Sequence, residues 1–167
     1  TSYLEIANQV RTVAIALVCI YLITLAIFPG VLAEDVFSER LGSWYPIILM
    51  FVFNLFDFAG KWLPIFPSFQ LHSGLGILTV AVCRLIFIPA FHLAATREGP
   101  HGAGGVVMGF LSSLLGLSNG YLTASAMMLG PKLVDQRAAA LCGNIMVLSL
   151  IAGLNLGAAC GFLWLLV

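Results

Sequence analysis

Charge is what this sequence has least of. Only 8% of its 167 residues are Asp, Glu, Lys or Arg, 61% are hydrophobic, and mean hydropathy is +1.08. A soluble domain carries about 25% charged residues because its surface has to be solvated. This chain has too few for that, and a water-soluble globular domain is excluded. Seven basic and seven acidic residues cancel to a formal net charge of zero and form no basic run, so no nucleic-acid partner is expected. The four cysteines, Cys19, Cys83, Cys142 and Cys160, lie in apolar runs without Cys-x-x-Cys spacing and read as buried structural thiols. His72, His92 and His101 fall near the ends of apolar runs with no partner at metal-ligand spacing, so no metal and no cofactor is expected. Ser112, Ser113, Ser118 and Ser125 have no mid-run histidine to activate them, which argues against an intramembrane enzyme and leaves no catalytic residue to name.

What the chain does have is long apolar stretches. A membrane barrel would alternate apolar and polar residues in segments of about ten, whereas these runs are about twice as long and do not alternate. They predict an all-α, polytopic membrane helix bundle of about five transmembrane helices, over approximately 12–33, 43–66, 74–96, 103–129 and 138–166. Each meets the roughly 20 residues needed to cross about 30 Å of hydrocarbon. Pro29-Gly30 stops the first span, Trp44 and Tyr45 read as an interfacial belt before the second, and Pro64 and Pro67 close it. Taking alternate loops, one side collects Arg11, Lys61, Lys132 and Arg137. The other holds Arg40 and Arg97 with the acidic Glu34, Asp35 and Glu39. The positive-inside rule then places the N-terminus in the cytoplasm and the C-terminus outside.

The few polar residues inside the spans carry the functional signal. A carboxylate near a bilayer midplane costs about 2.5–3.5 kcal/mol on insertion scales, so Asp57 must pair with something or line a watery path. At helical spacing Asn54, Asp57 and Lys61 share one face. Arg84 lies about ten residues from either end of the third span, too deep to snorkel easily. Asp57 on the neighbouring helix is its expected partner, with Lys61 as a rival for the same carboxylate. Small residues recur every fourth position in the last two spans: Gly105, Gly109 and Ser113; Gly116 and Gly120; and Gly153, Gly157 and Gly161. Such faces let helix backbones approach closely, so packing is the first reading for them. Asn144, Ser149 and Asn155 imply that one side of the last span does not face lipid. The run Leu117-Ser118-Asn119-Gly120-Tyr121 weakens a helix and reads as a hinge, a site element or interhelical glue.

With these residues in view, the chain resembles the equilibrative nucleoside transporter family. Four runs carry the likeness: Phe53-Asn54-Leu55-Phe56-Asp57-x-x-Gly60-Lys61; Arg84-Leu85-Ile86-Phe87-Ile88-Pro89; Ser118-Asn119-Gly120-Tyr121-Leu122 with Gly130-Pro131-Lys132; and Gly143-Asn144-Ile145-Met146 with Gly153-Leu154-x-Leu156-Gly157-Ala158. Their order looks like the last five of the family's eleven helices. The resemblance implies a C-terminal transmembrane bundle, residues 1–167, of a longer, major-facilitator-like two-bundle transporter whose N-terminal helix bundle is the missing partner. It implies facilitative transport of nucleosides, with nucleobases open, by alternating access through a central cavity of which this chain supplies half. Substrate-binding positions carried over are Phe28, Met50, Asn54, Asp57 and Leu154, with sugar hydroxyls as donors to the carboxylate and Phe28, Met50 and Leu154 flanking the base. Met50 stands where some members have an aromatic residue, and Lys61 where Arg is frequent; a Lys keeps the charge but loses the bidentate fork. Lys61 and Arg84 are carried over as pathway or structural charges, and Ser118, Asn119, Gly120, Gly153 and Gly157 as hinge or packing positions.

Passive and proton-coupled carriage both remain open. The competing class is a non-transporting membrane scaffold or receptor subunit that uses the polar stripe for helix pairing. The bilayer is a partner in either case, with the plasma membrane as first expectation and a vacuolar or other internal membrane as the alternative. The 167-residue chain is expected to transport nothing by itself.

Overall fold

A computed structural model describes residues 3–28, 44–97 and 104–162, and among these there is no strand. The helices are α1 (Tyr3–Ile27), α2 (Trp44–Trp62), α3 (Gly74–Cys83), α4 (Phe87–Arg97), α5 (Gly104–Leu129) and α6 (Ala139–Gly161). Short 3-10 turns extend or join them at Leu63–Ile65, Pro67–Phe69, Arg84–Ile86, Gly130–Leu133 and Gln136–Ala138. Among the described residues, five segments are long and apolar enough to cross a membrane: Tyr3–Ile27, Trp44–Ile65, Gly74–Ala94, Val106–Leu133 and Gln136–Gly161. This is the all-α, polytopic bundle expected. Pro29, Gly30, Glu34, Asp35, Glu39, Arg40 and His101 lie outside the described residues.

Two boundaries differ from the apolar runs. The first helix begins at Tyr3, well before Thr12, because Ile6 and Val10 are buried with Leu129 and Ala138 while Glu5 and Arg11 stay on the exposed side. The third span is broken by the 3-10 turn at Arg84–Ile86. Pro89 has no N–H to offer the Leu85 carbonyl, and its ring crowds that carbonyl, so regular α geometry cannot run through this stretch. Ser73 starts the span as an N-cap, its hydroxyl accepting from Gly76 N at 3.4 Å. Tyr45 is a further correction: Trp44 is exposed as a belt residue should be, but Tyr45 turns into the core beside Leu49 and Phe53. Of the cysteines, Cys142 is buried, Cys19 and Cys160 are half-buried, and Cys83 is exposed.

The tightest packing is between two parallel pairs, α2 with α5 and α1 with α6. In the first, a Cβ on Gly116 would overlap the Phe53 carbonyl oxygen, one on Gly120 the Asp57 carbonyl oxygen, and one on Gly60 the Leu117 carbonyl oxygen. In the second, a Cβ on Gly153 would stand 2.7 Å from Val18 O, on Gly157 2.8 Å from Leu22 O, and on Gly161 3.0 Å from Leu25 O. Both sets work as the small-residue spacing implies. Gly109 and Ser113 do not pack in this way: a Cβ on Gly109 would meet nothing within 4 Å, and Ser113 Oγ donates to its own helix at Phe110 O. In α6, Ser149 and Asn155 likewise donate back to Ile145 O and Ile151 O, while Asn144 and Asn155 are exposed.

Helices α3 and α5 lean on α1 and join the pairs into one bundle. Its apolar interior falls into two clusters. One gathers Val10, Leu17, Ile20, Ile77, Leu122, Cys142 and Met146 at the end where α1 begins. The other gathers Ile27, Phe28, Leu49, Phe53, Phe91 and Leu115 toward the end where α1 finishes. Between them lies a layer of buried polar side chains.

Candidate functional site

That layer is built from one or two residues on each of four segments. Helix α1 supplies Thr24, α2 supplies Asp57, the turn after α3 supplies Arg84, and α5 supplies Ser118 and Asn119. Asp57 and Asn119 face one another because Gly116 and Gly120 bring the backbones of α2 and α5 together.

Asp57 has two partners. Lys61 Nζ, one turn along α2, forms an ion pair with Oδ2, and Asn119 Nδ2 donates to Oδ1 at 2.7 Å. The Asp57 side chain is 12% exposed and that of Lys61 47%, so the pair reaches from the bundle interior to its surface. Asn119 Oδ1 accepts from Thr24 Oγ1 at 2.9 Å, and Thr24 Oγ1 also lies 2.7 Å from the Ile20 carbonyl. Arg84 is 3% exposed and spends its donors on four acceptors: Ser118 Oγ at 3.0 Å, Ile20 O at 3.2 Å, Thr24 Oγ1 at 2.8 Å and Leu115 O at 3.3 Å. Ser118 Oγ in turn donates to Leu115 O at 3.0 Å.

The expected Asp57–Arg84 ion pair is therefore not formed. Among the described residues the rival Lys61 takes the carboxylate, and Arg84 reaches it only through Thr24 and Asn119. A guanidinium has five donors in a planar fork, and hydroxyls and carbonyls satisfy it without a carboxylate. The three readings of the Ser118-Asn119-Gly120 run narrow as well. Helix α5 is unbroken from Gly104 to Leu129, and the run joins α5 to α1, α2 and Arg84.

The polar stripe of α2 divides. Asp57 is turned toward α5, whereas Asn54 is exposed and donates to Met50 O at 2.8 Å, which places these two on the open side of α2. Phe28 stacks on Phe53 with centroids 4.7 Å apart and planes at 26°, beside Leu49 and Tyr45. Leu154 is half-buried on α6, next to the Gly153 that packs on α1, and outside the Phe28 cluster. Thr24 and Phe53 are the residues that sequence reasoning missed. The signal for Thr24 was a hydroxyl deep in an apolar run, one turn before Phe28, and for Phe53 an aromatic one turn before Asp57.

A family model described as nucleoside transporter matches residues 1–166. The chain belongs to the nucleoside transporter family. Among its relatives, equilibrative nucleotide transporter 2 of Arabidopsis thaliana is 40% identical over 153 residues, covering 91% of this chain and 35% of its own length. Equilibrative nucleotide transporter 1 of the same plant is 36% identical over 167 residues, covering 99% and 36%, and equilibrative nucleotide transporter 8 is 38% identical over 162 residues, covering 96% and 41%. The chain thus spans little more than a third of the length of the curated relatives it matches. A nucleoside-transporter chain with five membrane-crossing segments is an integral, multi-pass membrane protein, and its relatives are named as transporters, not enzymes.

Proposed function

We propose that this chain is the C-terminal bundle of a longer transporter that moves nucleosides down their gradient by alternating access, and that it supplies one side of the central cavity. The observation that carries this is Asp57, an intramembrane carboxylate held between Lys61 and Asn119 at the border of the bundle interior and its surface. Sugar hydroxyls are natural donors to such a group, and the Phe28–Phe53 stack with the open Met50 and Asn54 offers apolar and amide surface for a base. Leu154, outside the Phe28 cluster, is kept as an apolar cavity residue contributed by α6.

A nucleoside fits this layer better than a nucleotide does. A phosphate needs a free cation, but Arg84 is buried with its donors engaged and Lys61 is already paired with Asp57. Nucleobases, which lack the sugar, would use the aromatic side alone. The ends of α1 and α2 that carry Arg11 and Lys61 lie with the turn that carries Lys132 and Arg137, which supports a cytoplasmic N-terminus and an extracytoplasmic C-terminus. We place the protein in the plasma membrane, a vacuolar membrane being the alternative.

Asp57→Asn in the full-length transporter keeps the shape and removes the charge. Saturable uptake of labelled adenosine and uridine into proteoliposomes is expected to fall by roughly ten-fold or more, in line with losing a hydrogen bond to a charged group. Unchanged uptake would reduce Asp57 to a packing charge. One observation favours the scaffold reading: the same polar layer bonds four segments together. Under that reading Asp57→Asn lowers the amount of assembled protein and leaves substrate affinity alone. Coupling is tested separately. With Asp57 already paired to the Lys61 ammonium, initial uptake rates are expected to be equal with and without an inward proton gradient, and a gradient-dependent rate would establish the proton-coupled carrier instead.

A further inference from the structure

One path of donors in the polar layer leads from Arg84 to Asp57. A carboxylate only accepts, so the Asn119 amide must present Nδ2 to Asp57 Oδ1 and its own oxygen to Thr24. Thr24 accepts from Arg84 Nη2, and its single hydroxyl hydrogen is within reach of that oxygen at 2.9 Å and of Ile20 O at 2.7 Å. With the Thr24 hydrogen turned to Asn119, Arg84 to Thr24 to Asn119 to Asp57 is a relay of donors from a buried cation to a buried carboxylate oxygen, across the turn after α3 and helices α1, α5 and α2. The two oxygens of Asp57 end up unequal. Oδ1 is fixed from the inside by the relay, and Oδ2 is held by Lys61, whose side chain is nearly half exposed and free to swing on four methylenes. No other charge faces Asp57 from α5, which carries no charged residue from Gly104 to Leu129, and the Tyr121 hydroxyl is engaged with Phe69 O at 2.8 Å.

We propose that Thr24 and Asn119 are positioning residues for sugar recognition: by pinning Oδ1 they aim Oδ2 at the ribose hydroxyls, and Lys61 yields its place when the nucleoside arrives. This rests on the reading of Asp57 as part of the pathway. It makes Asn119 and Thr24 determinants of specificity and not mere adhesive, since their removal leaves the carboxylate present but its Oδ1 no longer fixed.

The test compares KM for uptake of uridine and of 2′,3′-dideoxyuridine by the full-length transporter in proteoliposomes, for the parent and for Thr24→Val, Thr24→Ser, Asn119→Ser and Asp57→Asn. KM does not depend on how many molecules fold, so a reduced yield does not obscure it. Thr24→Val, which keeps the shape and loses the hydroxyl, is expected to raise KM for uridine roughly ten-fold while leaving dideoxyuridine nearly unchanged, and Thr24→Ser is expected to restore the preference. Should Thr24→Val yield no folded protein, Asn119→Ser carries the same expectation. Equal weakening of both substrates, or no change in either, overturns the proposal, because a structural role has no reason to sense the sugar hydroxyls. A parent that does not distinguish the two substrates overturns the Asp57 reading as well. Loss of discrimination in Asp57→Asn but not in Thr24→Val or Asn119→Ser leaves that reading standing and removes the relay.

Discussion

Gly120→Ala is expected to lower the unfolding midpoint of the full-length transporter in detergent and to remove most uptake. The added methyl would overlap the Asp57 carbonyl oxygen, with Asp57 C at 2.8 Å and Lys61 N at 3.1 Å close behind. None of these is the end of a flexible side chain. Backbone cannot turn aside, so relief comes only by moving α2 away from α5. Overpacking costs about 1–3 kcal/mol where side chains can adjust, and this site belongs at or above the upper end. The same displacement pulls Asp57 off Asn119, so function is lost even where the bundle survives. Gly109→Ala, on the same helix, serves as the control. Its Cβ would meet nothing within 4 Å, and the substitution is expected to leave the midpoint of this bundle where it was. Equal midpoints for Gly120→Ala and Gly109→Ala would show that the α2–α5 contact does not bear on stability.

Arg84→Ala is expected to have the second large effect, a loss of at least about 3 kcal/mol of stability from the void left by a long buried side chain, before unsatisfied acceptors are counted. Arg84 joins the turn after α3 to Ile20 and Thr24 on α1 and to Leu115 and Ser118 on α5, so one truncation loosens three segments at once. Arg84→Lys should fall between the two, since a single ammonium cannot span acceptors that a planar fork reaches together. Titration of folded protein with denaturing detergent, followed by tryptophan fluorescence, gives the order. If Lys and Ala prove equally harmful, the fork geometry is what matters; if both are silent, the network contributes nothing to stability.

How much of this was readable beforehand depended on which physical quantity set each feature. The five spans follow from hydrocarbon thickness, which acts on length and composition, and both are explicit in the sequence. The glycine faces were legible for the same reason, since the four-residue period is a property of the helix alone. What the sequence could not supply was azimuth. Asn54, Asp57 and Lys61 are indeed neighbours on α2, yet whether Asp57 looks inward or outward depends on where α5 lies, and Gly116 and Gly120 decide that from sixty residues away. The partner of Arg84 was misjudged because charge was sought as the answer to charge. In a bundle this dry, two hydroxyls and two carbonyls did as well. The start of α1 escaped because charge-free length underestimates a helix whose first turns are covered by another part of the same chain.

The glycine-lined pairs have a consequence for how the chain is made. Consecutive spans alternate direction, so helices that run parallel are never neighbours in the chain. Here the two closest interfaces, α2 with α5 and α1 with α6, are both of that kind. During synthesis α1 enters the membrane long before its partner exists, and the Val18, Tyr21, Leu22 and Leu25 positions that meet the α6 glycines wait until α6 is threaded. Aligned macrodipoles give such a pair no electrostatic help in finding each other. The seating of α6 on α1 therefore follows insertion of the other described helices, and a nascent chain cut short before Ala139 leaves the α6-facing side of α1 uncovered.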